Sequence, residues 1–283
     1  MKDYIELTKP RITWLILMST AVGYYFGHQG SWLFWSIVHT LIGTGLIASG
    51  TAALNQWYER DADLQMRRTQ MRPLPSGRLL PNRALWFGIA LAVAGGLELG
   101  IGVNWLASFL GLVTLGAYLF LYTPLKQKTW WSTTIGAFPG AMPPLIGYAA
   151  ASGRLTPEAW ALYAILFFWQ FPHFYAIAWM YRDDYSRAGI QMLPVVEPDG
   201  ESTARQILFF SVLLIPISLL PNWLGMTGNV YTVGALALGL LFLYAGVRVS
   251  LDRTKLRARK VLLASVVYLP VLYGLMVLDP IRL

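Results

Sequence analysis

The chain has 283 residues, 56% of them apolar and 13% charged, with a formal charge of +8 and a mean hydropathy of +0.50. Soluble domains carry about a quarter charged residues, so a water-soluble globular protein is excluded, and basic residues in short clusters between apolar runs speak for membrane orientation and against nucleic acid. With no cysteine, disulfides, thiolate metal sites and a covalently attached c-type haem are excluded as well.

The N-terminal MKDYIELTKPRITW is too charged and too short for a cleaved signal peptide, which predicts a chain that starts near Met1. Apolar runs near the roughly 20 residues that cross a bilayer then predict one polytopic domain over 1–283. Nine helices are predicted, at 12–28, 36–57, 84–102, 105–122, 131–151, 158–180, 206–221, 229–248 and 261–279. An odd number of spans puts the termini on opposite sides. Of the 22 Lys and Arg residues, 20 fall on one side: the N-terminus and the segments 58–83, 123–130, 181–205 and 248–260. Only Arg154 and Arg282 fall on the other, so the positive-inside rule predicts a cytoplasmic N-terminus and an outside C-terminus.

The two longest loops, 58–83 and 181–205, also concentrate the acids. In N55-Q-W-Y-E59-R-D61-A-D63-L-Q-M-R67-R68-T-Q-M-R72, a helix continuing past the membrane interface would set Asn55, Glu59, Asp63 and Arg67 on one face at i+4 spacing. Amide and carboxylate oxygens suit Mg²⁺, and Arg67, Arg68 and Arg72 suit phosphate oxygens. A solvated helix end laced with ion pairs is the alternative. The second segment, Y181-R-D183-D184-Y185-S-R187, places Asp183 and Asp184 within one turn of Arg187. Alone it is an ordinary charged helix end. Facing the first segment it would complete a cradle for two Mg²⁺ ions and a diphosphate, with an allylic diphosphate as the natural substrate. Lys9 and Lys126 are further diphosphate candidates from the same side, with topology marking as the alternative. A secondary transporter is a competing class, but transporters bind near the midplane whereas these acids gather at one face.

The run ALNQWYERDADLQMRRTQMRPLPSGRL resembles the first Asp-rich signature of the UbiA superfamily of intramembrane prenyltransferases. Its detail is similar to the haem-farnesylating branch. LTKPRITWL, YTPLKQKT at 122–129, GAFPGAMPPLIGYAA at 136–150 and FPHFYAIAWMYRDDYSRAGIQMLPVV at 171–196 agree with it, so the resemblance covers about residues 5–200. It implies a nine-helix bundle around a central cavity in the bacterial inner membrane. The implied reaction is Mg²⁺-dependent transfer of farnesyl from farnesyl diphosphate to a vinyl group of haem b, with water addition. A haem A synthase or a terminal-oxidase assembly would be a downstream partner. An aromatic acid or a chlorophyllide is the alternative acceptor. Carried over by position, Asn55, Glu59, Asp63, Asp183 and Asp184 handle metal and diphosphate, Asp61 takes part, and Arg68 and Arg72 lie near the phosphates. Where the wider superfamily has Asp, this chain has Glu59, Tyr181 and Tyr185, so the resemblance implies the first Mg²⁺ more firmly than a second.

Among lone residues, His173 lies well inside a span and is a candidate haem-iron ligand or propionate contact. Its alternative is a buried polar group serving backbone freed by Pro172. His28, His39 and Glu98 fall near the outside ends of their helices, where Glu98 would snorkel to water. Pro139, Pro143 and Pro144 are predicted to bend the fifth helix and widen the cavity, and the basic run 253–260 to touch anionic lipid.

Overall fold

The structure, a computed structural model, describes residues 1–28, 30 and 34–281. Arg282, assigned above to the outside face, lies outside the described residues. The elements are α1 (Lys2–Leu7), α2 (Pro10–Gly27), α3 (Phe34–Gln65), α4 (Pro81–Gly102) and α5 (Trp105–Gly116), which runs through a π-helical turn (Ala117–Tyr122) into α6 (Thr123–Leu125). Next come α7 (Ser132–Gly140), α8 (Pro143–Ser152), α9 (Pro157–Met180), α10 (Arg182–Arg187) and α11 (Leu193–Val196). The chain ends with α12 (Glu201–Ser218), α13 (Leu220–Trp223), α14 (Asn229–Leu251) and α15 (Lys255–Leu278). No strand is formed among the described residues.

Seven of these segments are long and apolar enough to cross a bilayer, counting α12 with α13 as one, which makes the chain an all-α multi-pass membrane protein. The first predicted span is α2. The fifth is not one helix: it breaks at Ala141–Met142 between α7 and α8. Pro139 inside α7 and Pro143 at the start of α8 account for the break, since proline removes a backbone donor and clashes with the preceding turn. Both prolines line the central cavity, whereas Pro144, the third proline of the predicted bend, packs against Gly23 of α2.

Backbones approach closely where glycine allows it. A Cβ on Gly23 of α2 would overlap the Pro144 carbonyl oxygen, and one on Gly147 of α8 would overlap that of Thr20. The α2–α8 pair thus packs backbone to backbone through small residues, as membrane helices commonly do. Asn104 fixes the far end of the same region. It caps α5 by accepting from the Ala107 amide at 2.9 Å and donates to the Ala149 and Ala150 carbonyls. Also at that end, the part-exposed Glu98 carboxylate is 2.6 Å from His39 Nδ1.

All five basic segments meet at the other end of the bundle. Arg78 pairs with Asp3 and Glu6 of α1, the Gln191 amide donates to the Lys126 carbonyl at 2.7 Å, and Trp179 Nε1 donates to the Arg253 carbonyl at 2.9 Å. The basic run 255–260 is helical from its start, because Thr254 caps α15, and Lys255 and Arg257 pair with Asp183 and Asp252.

Candidate functional site

The second predicted span does continue, as α3, to Gln65. One helical face therefore carries Asn55, Glu59 and Asp63 a turn apart, with Asn55 and Asp63 buried. Arg67 falls beyond the helix end and is exposed, so it does not join the stripe. Asp61 turns outward as well; its side chain is 85% exposed and 3.7 Å from Arg60.

Each stripe residue meets a neighbour from another element. Lys9 Nζ donates to Asn55 Oδ1 at 3.2 Å, and Asn55 Nδ2 donates to Thr123 Oγ1 at 3.2 Å. Lys126 Nζ donates to Glu59 Oε1 at 2.8 Å and lies 4.5 Å from the Tyr122 ring centre. Arg72 donates to Asp63 Oδ2 at 2.7 Å, while the Thr69 hydroxyl donates to the Asp63 carbonyl and folds the 66–80 segment back over the helix end. Asp63 Oδ1 is buried and has no hydrogen-bond partner, although buried polar atoms are normally paired.

The cations are held in unusual states. Lys9 precedes Pro10 with φ +48°, the one non-glycine described residue in the left-handed region. Burial, and then the Arg72 guanidinium, bring its ammonium down to about 8. Burial works against the charge of Lys126 too, but the Glu59 carboxylate outweighs it and keeps that ammonium well above the ordinary lysine value.

From Lys9 inward runs a cavity of about 350 Å³, walled by apolar side chains together with Ser19, Tyr118, Gln170 and His173. Among the described residues His173 hydrogen-bonds no backbone group. Its Nδ1 is 2.8 Å from Ser265 Oγ, and its ring stacks on Trp169 at 4.7 Å.

The two acidic segments face each other, but their acids do not pool. Ala62 and Met66 pack on Ala178, Ala188, Ile190 and Met192. The Arg68 guanidinium sits between Tyr181 and Tyr185, 4.7 Å and 4.6 Å from their ring centres. Arg187 pairs with Asp184 rather than Asp183. Asp183, 61% exposed, pairs with Lys255 at 2.8 Å, and that hydrogen bond holds its carboxyl below the usual range. Among the described residues no three His, Asp or Glu side chains converge on a metal position, and the Asp183 carboxylate is engaged by Lys255. What remains at the inner site is a hard-oxygen donor set with one unpartnered carboxylate oxygen. It fits Mg²⁺, which uses one or two carboxylates and takes the rest of its octahedron from water and phosphate.

Sequence reasoning missed Thr69, Thr123, Tyr122, Trp169 and Ser265. Thr123 and Tyr122 carried a signal in the YTPLKQKT run. Ser265 carried none, being the one serine in the apolar stretch VLLASVVYL.

Fold and site together define a multi-pass helical protein that presents paired acids and bases at one end of an apolar intramembrane cavity. Residues 16–268 match the UbiA prenyltransferase family, and the chain belongs to that family. It is 66% identical to a protoheme IX farnesyltransferase of Solibacter usitatus, over 99% of both chains, and 48% identical to one of Koribacter versatilis, over 99% of this chain and 93% of that one. Among solved structures, one of digeranylgeranylglyceryl phosphate synthase in membranes superposes with a TM-score of 0.81 at 19% identity, covering 100% of this chain and 99% of that one. A UbiA homologue from Archaeoglobus fulgidus bound to DMAPP and Mg²⁺ gives 0.73 at 19% identity, covering 97% and 99%. At these identities the likeness is one of fold.

Proposed function

We propose that the protein transfers the farnesyl group of farnesyl diphosphate to a vinyl group of haem b, with addition of water, to give haem O. The observation that carries the reading is the buried Asp63 with its unpartnered Oδ1, set beside the Glu59–Lys126 pair and Lys9 at the mouth of the apolar cavity. The farnesyltransferase name shared by relatives at 66% and 48% identity supports the choice of donor and acceptor.

Asn55, Glu59 and Asp63 would hold Mg²⁺, and Lys9, Arg72 and Lys126 the diphosphate. Three cations against two carboxylates leave one positive charge in excess, which suits an anion. Without ligand the cations neutralise the acids; Lys126 and Arg72 exchange those partners for phosphate oxygens when the donor binds. Bound Mg²⁺ supplies charge neutralisation on the leaving diphosphate. Lys9 holds the diphosphate at the cavity mouth so that the prenyl chain lies inward, away from water that would quench an allylic cation. Arg68, Asp183, Asp184 and Arg187 form the outer rim, which packs over this site and orders it.

The chain is proposed to form one domain over 1–283 in the bacterial inner membrane, with the basic end and the N-terminus cytoplasmic and the C-terminus outside. Its product would pass to a haem A synthase or a terminal-oxidase assembly. The test is extraction of haems from bacteria expressing the chain in place of their own farnesyl-transferring enzyme. Haem O appears with the wild type and is missing with Asp63→Asn. Haem b as the sole haem, with the wild-type chain present in the membrane, overturns the reading.

A further inference from the structure

His173 on α9 lies in the cavity wall, and its Nδ1 faces Ser265 Oγ of α15 at 2.8 Å. The same hydroxyl is 2.7 Å from the Leu262 carbonyl oxygen. A carbonyl only accepts, so the single hydroxyl proton of Ser265 is committed to Leu262, and toward the imidazole Ser265 can only accept. The proton of the neutral ring therefore sits on Nδ1, and Nε2 keeps its lone pair. Two contacts hold this arrangement. Trp169 stacks on the imidazole with an interplanar angle of 24°, and Trp169 Nε1 donates to the Ser265 carbonyl at 2.9 Å. One residue of α15 thus anchors both the histidine and its stacking partner. Ser265 is the hydrogen-bonding partner of the ring, and Nε2 makes no hydrogen bond to a described residue. Among the described residues no carboxylate pairs with the ring, and with its proton on Nδ1 the imidazole offers Nε2 as a nitrogen donor.

We propose that Ser265 is a positioning residue that fixes the His173 tautomer, making Nε2 the axial ligand to the iron of the porphyrin acceptor. This rests on the haem reading above. Histidines that bind metal are oriented in this way, by an outer hydrogen bond from the other ring nitrogen. An iron tether at His173 fixes the centre of the macrocycle in the cavity and leaves the rim, which bears the vinyl groups, to meet a prenyl chain entering from Lys9.

The test is a titration of haem b into the purified full-length protein in lipid nanodiscs, with resonance Raman spectra of the ferrous state. The wild type is expected to show an iron–histidine stretching band. His173→Ala is expected to lose the band and to regain one on addition of imidazole. Ser265→Ala is expected to shift the band and to weaken haem binding about tenfold, at the low end of what loss of such an outer partner does. Ser265→Thr, which keeps the hydroxyl, is expected to behave as the wild type. Farnesyl diphosphate binding serves as the folding control and is retained in every variant, because Lys9, Arg72 and Lys126 still hold the diphosphate. A wild-type band and affinity in Ser265→Ala overturn the positioning role, and an unchanged band in His173→Ala overturns the ligand assignment. A wild type that binds farnesyl diphosphate but not haem b overturns both this inference and the proposed acceptor, and is distinct from either of the other failures.

Discussion

Asp63 and Asp183 are both carboxylates in charged segments, yet one is 1% and the other 61% exposed. An ion pair in solvent contributes about 0–1 kcal/mol, whereas a buried carboxylate with a free oxygen is a strong ligand for a cation. Asp63→Asn is therefore expected to lower kcat by about 10²-fold or more, in the range for loss of one electrostatic contact to a developing charge, and Asp183→Asn by about tenfold or less. Steady-state turnover of the two variants side by side checks this; equal losses would mean that the outer acid is as much a part of the chemistry as the inner one. Lys9 makes a complementary case. A non-glycine residue in the left-handed region costs on the order of 1–3 kcal/mol, and this one also carries a buried ammonium. Lys9→Gly is expected to raise or maintain the thermal midpoint while weakening farnesyl diphosphate binding about tenfold. A variant that binds normally and melts lower would contradict the assignment of the strain to ligand binding.

At the scale of elements, α2 and α8 meet where Gly23 and Gly147 leave no room for a Cβ. Gly147→Val is expected to cost about 1–3 kcal/mol through overpacking, read as a lower denaturant midpoint in detergent, and a midpoint equal to the wild type would contradict the close contact. The second acidic segment is held over α3 by packing of Met66 and by the Arg68 clamp between two tyrosines. Cation–π contacts at such sites are worth about 0.5–1 kcal/mol, so Arg68→Ala is expected to speed hydrogen exchange across 181–190 with little change elsewhere; unchanged exchange there would remove the clamp. Much of this was legible in the sequence. Period and composition gave the apolar spans, the i+4 spacing put Asn55, Glu59 and Asp63 on one face, and the proline cluster marked the break between α7 and α8. What was not legible depended on partners distant in sequence. Arg67 carried the right spacing, but the helix ended at Gln65 and took it out of the stripe. Spacing also joined Arg187 to Asp183, whereas Lys255, contributed by α15, claims that carboxylate. The His39 partner of Glu98 was not legible either, because the two lie 59 residues apart. Ser265 stayed hidden because one serine in an apolar helix has the same local signature whether or not a histidine faces it.

At the scale of the whole molecule, the segments with most of the basic residues assemble at one end of the bundle, and the cavity opens from that end. A chain without cysteine is a ready background for single-cysteine labelling. Ser76→Cys, in the exposed 66–80 segment, is expected to react with an impermeant maleimide only in inside-out vesicles, and Arg154→Cys only in right-side-out ones; the reverse pattern would invert the proposed orientation. The central claim joins the two ends of the cavity: a diphosphate held by Lys9, Arg72 and Lys126 outside and a porphyrin acceptor within. It is tested most directly by mass spectrometry of products from the purified protein, given Mg²⁺, isotope-labelled farnesyl diphosphate and an equimolar mixture of haem b and 4-hydroxybenzoate. The account predicts label in a hydroxyethylfarnesyl haem and none in the aromatic acid; labelled prenyl-hydroxybenzoate with unmodified haem b would contradict it.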